Sequence, residues 1–255
     1  MGSLIAPSSF LNQKCADFNG TNEYMYVDNP SFGADNAGAF CMWITPKTVL
    51  TTNGVKSTVA FVPIGSTNAY LFFGQRWNSS AGSANRICVG SQFAGGTLAS
   101  DTVGTTAVAA ATRYSLVVQS NGSSWSIYLN GTLLSLTNWL TLGGANPGTW
   151  MGDIPTSSRR LSFGARIGNT VSTAYSDVKL DEAIYVTGRA LTGTEVTEWH
   201  NSGTSINPHR VSFRNDIASW WRMGDSRDDA TTVYDEVGSN DLTLVNMDAS
   251  NYVTP

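Results

Sequence analysis

The sequence predicts an all-β chain, an antiparallel sandwich of short strands with one short helix near its C-terminal end. Three observations carry that prediction. Short β-branched and aromatic runs recur along the whole chain, separated by connectors rich in Gly, Ser, Asn and Pro. Charged residues make up only 13% of the chain, about half the usual globular share, and turn-forming Gly, Ser, Thr and Asn take their place. The stretch Ser115–Leu134, SLVVQSNGSSWSIYLNGTLL, stops an apolar run twice at Asn-Gly and restarts it each time.

Each element has its own grounds. Strands are expected at Cys15–Phe18, Glu23–Val27, Ala39–Thr45, Thr58–Pro63, Tyr70–Gly74 and Arg86–Gln92, where apolar and β-branched residues dominate. Tyr114–Gln119 and Ser124–Asn130 follow, joined through Asn121-Gly122. Asn and Gly accept positive φ at low cost, which a two-residue type I′ turn needs at both central positions. Trp125, Ile127 and Leu129 alternate with Ser124, Ser126 and Tyr128, so one face is apolar and the other polar. After Asn130-Gly131 a third run begins at Leu133 and Leu134, completing an antiparallel meander. Further strands are expected at Arg160–Ala165, Val178–Val186 and Ile217–Met223. The helix is read from LTGTEVTEWHNSG. Thr192 and Glu195 form a capping box, Val196 and Trp199 an apolar face, and Gly203 a C-terminal stop. In Val178–Val186, strict alternation puts Glu182 on the same face as Leu180 and Ile184, so this carboxylate needs a partner or a bulge that turns it outward.

The chain has 255 residues, ordinary for one β-sandwich, and neither composition nor repeats mark a boundary. We expect an N-terminal arm at residues 1–13 and one sandwich over 14–255. Net charge is −4, and no basic cluster exceeds Arg159-Arg160, so nucleic acid is not an expected partner. No apolar run approaches the ~20 residues of a membrane helix. The first residues lack the basic start of a secretion signal. Cys15, Cys41 and Cys88 read as buried thiols rather than a disulfide framework. Asn-X-Ser/Thr sequons at Asn19, Asn78, Asn121 and Asn130 read as turns.

The order of these pieces resembles a known architecture. CADFNGTNEYMYVDNPSF followed by AFCMWITP is similar to the opening of laminin G-like, concanavalin A-like domains. RYSLVVQSNGSSWSIYLNGTLL resembles their central hairpin, and KLDEAIYVTGRALTGTEVTEWHNSG their closing strand and short helix. The resemblance spans most of Cys15–Gly203 and implies an antiparallel jelly-roll sandwich. The segment SWWRMGDSRDDATTVYDEVGSNDLTLVNM, which more often opens such a domain, here follows the helix. That arrangement resembles laminin G-like structural proteins of tailed phages. It implies that 211–247 closes the sandwich beside the N-terminal strands, as in a circular permutation. It also implies a virion surface or accessory protein made in a host cytoplasm, bound to other virion proteins or to copies of itself, with a cell-surface glycan as a further contact. A soluble carbohydrate-binding lectin is the alternative, and a glycoside hydrolase the third.

Candidate chemistry is sparse. Glycosidases of this architecture need two carboxylates roughly 5–10 Å apart. The Glu residues are Glu23, Glu182, Glu195, Glu198 and Glu236, and none has the Glu-x-Asp-x-x-Glu spacing. Asp181 and Glu182, being adjacent, are expected on opposite faces. No enzyme is therefore expected, and no cofactor. Calcium, common in such folds, would find its carboxylates at Asp225, Asp228 and Asp229, although Asp is equally a turn residue. For glycan or partner contacts the candidates are Trp77 and Asn78 in RWNSS, and Asn146 and Trp150 in NPGTW. These lie in polar stretches, whereas Trp43 and Trp125 read as core. The loop Asn138–Ser158 is long for a compact domain. The uncharged arm should gain order only by docking on something.

Overall fold

The computed structural model describes residues 10–52, 54–65, 69–78, 83–92, 99–141, 146–156, 158–168, 174–225 and 227–255, with the backbone alone at 77, 78, 83, 84, 99 and 139–141. Its strands are β1 (Cys15–Asp17), β2 (Tyr24–Asp28), β3 (Gly38–Pro46), β4 (Gly54–Pro63), β5 (Tyr70–Asn78), β6 (Ser83–Gln92), β7 (Ala99–Ala107), β8 (Tyr114–Ser120) and β9 (Trp125–Leu129). They continue as β10 (Thr132–Leu133), β11 (Leu136–Thr141), β12 (Arg159–Phe163), β13 (Val178–Thr187), β14 (Ile217–Trp221), β15 (Thr232–Val233), β16 (Leu242–Val245) and β17 (Tyr252–Val253). The helix α1 spans Gly193–His200.

Two antiparallel sheets form a sandwich. One runs β10-β9-β8-β3-β13-β1-β17, with β14 also on β13; the other runs β11-β7-β6-β5-β4-β12-β2-β16-β15. Between them Phe40, Phe73, Trp125, Trp150, Phe163, Tyr185 and Trp221 fill one core. The C-terminal strands return to the start of the chain: β17 pairs with β1, and β16 pairs with β2. β14 takes the C-terminal half of β13's edge, while β1 takes the N-terminal half. The Trp220-Trp221 pair is thereby buried, Trp220 on the outer face and Trp221 in the core.

The two sheets differ in what covers their outer faces. On the β3–β13 sheet, Trp43, Ile184 and Trp220 pack under α1 and the chain after it, through Val196, Trp199, Val211 and Phe213. The capping box holds as expected, Thr192 Oγ1 accepting from Glu195 N–H and the Glu195 carboxylate from Thr192 N–H. The helix ends earlier than Gly203, at Asn201 in the left-handed region. Among the described residues, the β4–β7 sheet keeps only a small outer cluster, Ala60, Val62, Phe72, Cys88 and Val103, with Val55 and Tyr70 at its margin.

The two Asn-Gly turns part company. Asn130 and Gly131 both have positive φ, 51° and 75°, as a type I′ turn requires, and join Leu129 directly to Thr132. At Asn121-Gly122 only the glycine is left-handed, and Ser120 pairs with Trp125 across four residues. There the Asn121 carboxamide accepts from the N–H groups of Ser123 and Ser124, a side-chain turn that replaces the expected two-residue one. The three cysteines are buried and unpaired. Among the described residues no helix is long and apolar enough to cross a membrane.

Candidate functional site

The residues singled out from sequence are dispersed. Trp150 is fully buried between the sheets, its ring parallel to that of Phe73 and its Nε1–H donating to the Tyr185 hydroxyl at 3.1 Å. Tyr185 in turn donates to Asp35 at 2.9 Å. Trp150 is thus a core residue and not a surface contact, because its polar flanks bend over the end of the sandwich while the ring turns inward. Asn146 anchors that bend, accepting from Trp125 N–H at 2.6 Å and donating to Trp125 C=O at 2.8 Å. Trp77 and Asn78 belong to β5 rather than to a polar loop, since Trp77 pairs with Gly54 and Asn78 with Ser83. Their side chains lie outside the described residues, as do residues 142–145 and 157 of the long loop.

The acidic C-terminal run is occupied by turns. Asp225 accepts from Gln13 N–H and lies 3.4 Å from Arg222. Asp228 accepts from Gly224 and Tyr234 N–H groups, and Asp229 from Thr231 and Thr232 N–H groups. Burial holds the Asp228 carboxyl up at about 6 against those bonds. Among the described residues, no three His, Cys, Asp or Glu side chains converge as ligands for a metal ion.

Glu182 does not follow strict alternation. The register of β13 against β3 slips between Asp181 and Ile184, and Glu182 takes φ 45°, a β-bulge. Residues before and after the bulge still face the core, Leu180 and then Ala183 and Tyr185. The extra residue lets both carboxylates leave the core side, so the expectation that Asp181 and Glu182 oppose one another is overturned. Glu182 accepts from Trp220 Nε1–H at 2.6 Å and meets Arg222 at 3.3 Å. Asp181 meets Arg113 and Asn12 at 2.8 and 2.7 Å. Burial, reinforced by the charge of Asp181, raises Glu182 to about 8, and burial raises Asp181 to about 6. The described end of the arm seals this group: Phe10 lies against Trp220 and under the Arg222 guanidinium, and Gln13 binds Asp225. Residues 1–9 lie outside the described residues.

The opposite face carries an open cleft. Val55, Tyr70, Phe72, Arg76, Ser91, Ser100, Asp101 and Arg166 line a cavity of about 280 Å³. The pleat explains the set. Along β5 the even positions Tyr70, Phe72, Gly74 and Arg76 point away from the core, whereas Leu71 and Phe73 enter it. Gly90 on β6 opposes Phe72, and a Cβ there would stand 2.6 Å from the Phe72 ring, so only glycine lets the ring lie flat on the sheet. Arg76 forms a close ion pair with Asp101 of β7. Burial lifts Asp101 to about 6 although Arg76 opposes the rise. Asp101 Oδ1 and Ser91 Oγ are buried without a hydrogen-bond partner among the described residues. From the loop after β12, the Arg166 guanidinium sits 4.1 Å from the centre of the Tyr70 ring. Chemically the cleft offers an apolar wall, a cation, an ion pair and unused acceptors. Sequence reasoning missed it because β7, ASDTVGTTA, has no apolar alternation to place Asp101. The even-numbered face of YLFFGQR was nevertheless a readable signal.

No family model matches the chain, and neither does any curated protein sequence. Solved structures do. A candidate carbohydrate-binding protein from Bacteroides ovatus superposes with a TM-score of 0.61 at 15% identity, over 95% of this chain and 60% of that one. The chain thus spans 60% of that protein's length. A heptameric SAP-like pentraxin from Limulus polyphemus gives a TM-score of 0.51 at 12% identity, over 91% of this chain and 94% of the pentraxin. The CBM40 of Ruminococcus gnavus IT-sialidase, solved with α2,3 sialyllactose, gives 0.52 at 11% identity, over 74% of this chain and 97% of the module. At such identities the likeness establishes architecture, and the chain has the antiparallel jelly-roll sandwich of these lectin-like domains.

Proposed function

We propose that this chain is a non-catalytic carbohydrate-binding domain whose ligand lies in the cleft on the β4–β7 sheet. One observation carries the reading: a buried Arg76–Asp101 pair with an unused carboxylate oxygen, set beside the aromatic wall of Tyr70 and Phe72. A sugar has hydroxyls that need acceptors and donors, and C–H faces that suit an aromatic wall. Leaving a buried acceptor unmade costs about 1–3 kcal/mol, which a ligand hydroxyl would recover. The carbohydrate-binding neighbours of the same fold support the reading by analogy.

The absence of catalysis is part of the proposal. Asp181 and Glu182 share a face, but each is tied to an arginine and the pair lies beneath Phe10–Gln13. A glycan array with the intact chain and with Asp101→Asn tests the binding reading. Saturable signals reduced about tenfold by the substitution are expected, and a background signal throughout would overturn it.

A second reading is an accessory protein of a phage particle, self-associated or bound to other virion proteins. It draws on the C-terminal segment, which follows the helix and pairs with both β1 and β2 as the phage resemblance implies. Co-purification of the chain with virus particles would support it, and the two readings are compatible.

A further inference from the structure

We infer that the ligand of this cleft is an acidic sugar, one that carries a carboxylate, and that Arg166 is the residue that selects it. The inference rests on the carbohydrate reading above. Its ground is a charge imbalance inside the cavity. The lining contains two arginines and one acid. Arg76 is neutralised by Asp101 at close range. Arg166 has no carboxylate within ion-pair distance among the described residues, and its guanidinium is held instead over aromatic rings, 4.1 Å from the Tyr70 centroid and 5.6 Å from that of Phe72.

Stacking on an aromatic face fixes the plane of a guanidinium but leaves its N–H edge unspent. That edge is a planar donor fork which matches the two oxygens of a carboxylate. The rest of the molecule makes the placement specific. The chain carries 19 acidic and 15 basic side chains for a net charge of −4, so a surplus cation in the cavity runs against the overall field. A diffuse polyanion would be repelled by such a protein, whereas one carboxylate brought to one guanidinium would not. Asp101 sharpens the discrimination. Already paired with Arg76, it accepts sugar hydroxyls through its unused oxygen, and its negative charge disfavours a second anionic group beside it. The cleft therefore suits a sugar with one acidic end and several hydroxyls.

The test is calorimetric titration of the intact chain with two pairs of probes, 3′-sialyllactose against lactose and galacturonate against galactose. It is run at about 20 and 200 mM NaCl, which spans weak to strong screening. At least one acidic probe should bind about tenfold more tightly than its neutral partner, with the advantage shrinking at the higher salt. Arg166→Gln should abolish that advantage, bringing the affinity for the acidic probe down to that of its neutral partner. Arg166→Lys, which keeps the charge but loses the fork, should restore only part of it. Equal affinity within both pairs, or an acidic preference that survives Arg166→Gln, overturns the inference. Equal affinity within both pairs, together with neutral binding lost on Tyr70→Ala, would overturn it while sustaining the carbohydrate reading. Binding of none of the four probes overturns the acidic-sugar inference, and the glycan array then judges the broader reading separately.

Discussion

Glu182 shows how much one backbone angle decides. With φ at 45° it leaves the core side of β13 and carries its carboxylate to Trp220 and Arg222. The sequence reading recognised that a buried acid there needed a partner or a bulge, and the molecule uses both. It could not see which, because Trp220 and Arg222 are distant in the chain and a bulge leaves no mark in composition. The cost of the burial is readable in titration. Glu182 is raised to about 8, and Asp101, Asp181 and Asp228 to about 6, so the folded chain holds these protons more tightly than the unfolded one. Their stabilising contribution is complete below the ordinary carboxylate range and is lost as pH climbs through the raised values. Glu195 acts oppositely: lowered to about 2 by Arg189, it loses its contribution as pH falls toward that value. Thermal midpoints should therefore peak near pH 4–5 and fall by several degrees toward pH 9. Glu182→Gln should flatten the portion between pH 6 and 9, and an unchanged slope would show that another group carries it.

Among the elements, the hairpin β8–β9–β10 and the helix were the most legible, because their information is local: alternation, Asn-Gly, and a capping box. Strands β7 and β11 were not legible. Their residues, largely Thr, Ser, Gly and Asn, belong to a sheet only through pairing with β6 and with each other. The segment after β11 was misjudged for a related reason. Trp150 sits among Gly, Pro, Asn and Thr, yet the polar neighbours serve the bend, and Asn146 fixes it to the backbone of Trp125. The ring belongs to the core, where it meets Phe40 and Phe73. Trp150→Ala should consequently cost ~3–5 kcal/mol of stability, as large-to-small core substitutions do. Denaturant unfolding measures this directly. A variant as stable as the parent would return Trp150 to the surface.

At the scale of the molecule, the sandwich depends on a segment that comes last in sequence and pairs with what comes first. β14 completes the edge of β13, β16 extends the sheet past β2, and β17 flanks β1. Truncation after Arg210 would remove all three, and with them Val211, Phe213, Ile217 and Trp220 from the outer cluster and Trp221 from the inner core. Such a chain should aggregate or unfold without cooperativity, and a melting curve like that of the full chain would contradict this account of closure. The same closure assigns the two outer faces. One is sealed by α1, the chain after it and Phe10–Gln13; the other keeps the cleft of Tyr70, Arg76, Asp101 and Arg166. Amide chemical-shift mapping during titration with a glycan that binds tests this division most directly. Perturbations clustered on β5, β6, β7 and the loop after β12, at Tyr70, Arg76, Asp101 and Arg166, are the predicted result. Perturbations clustered on α1 and the arm, with the β4–β7 face silent, would contradict it.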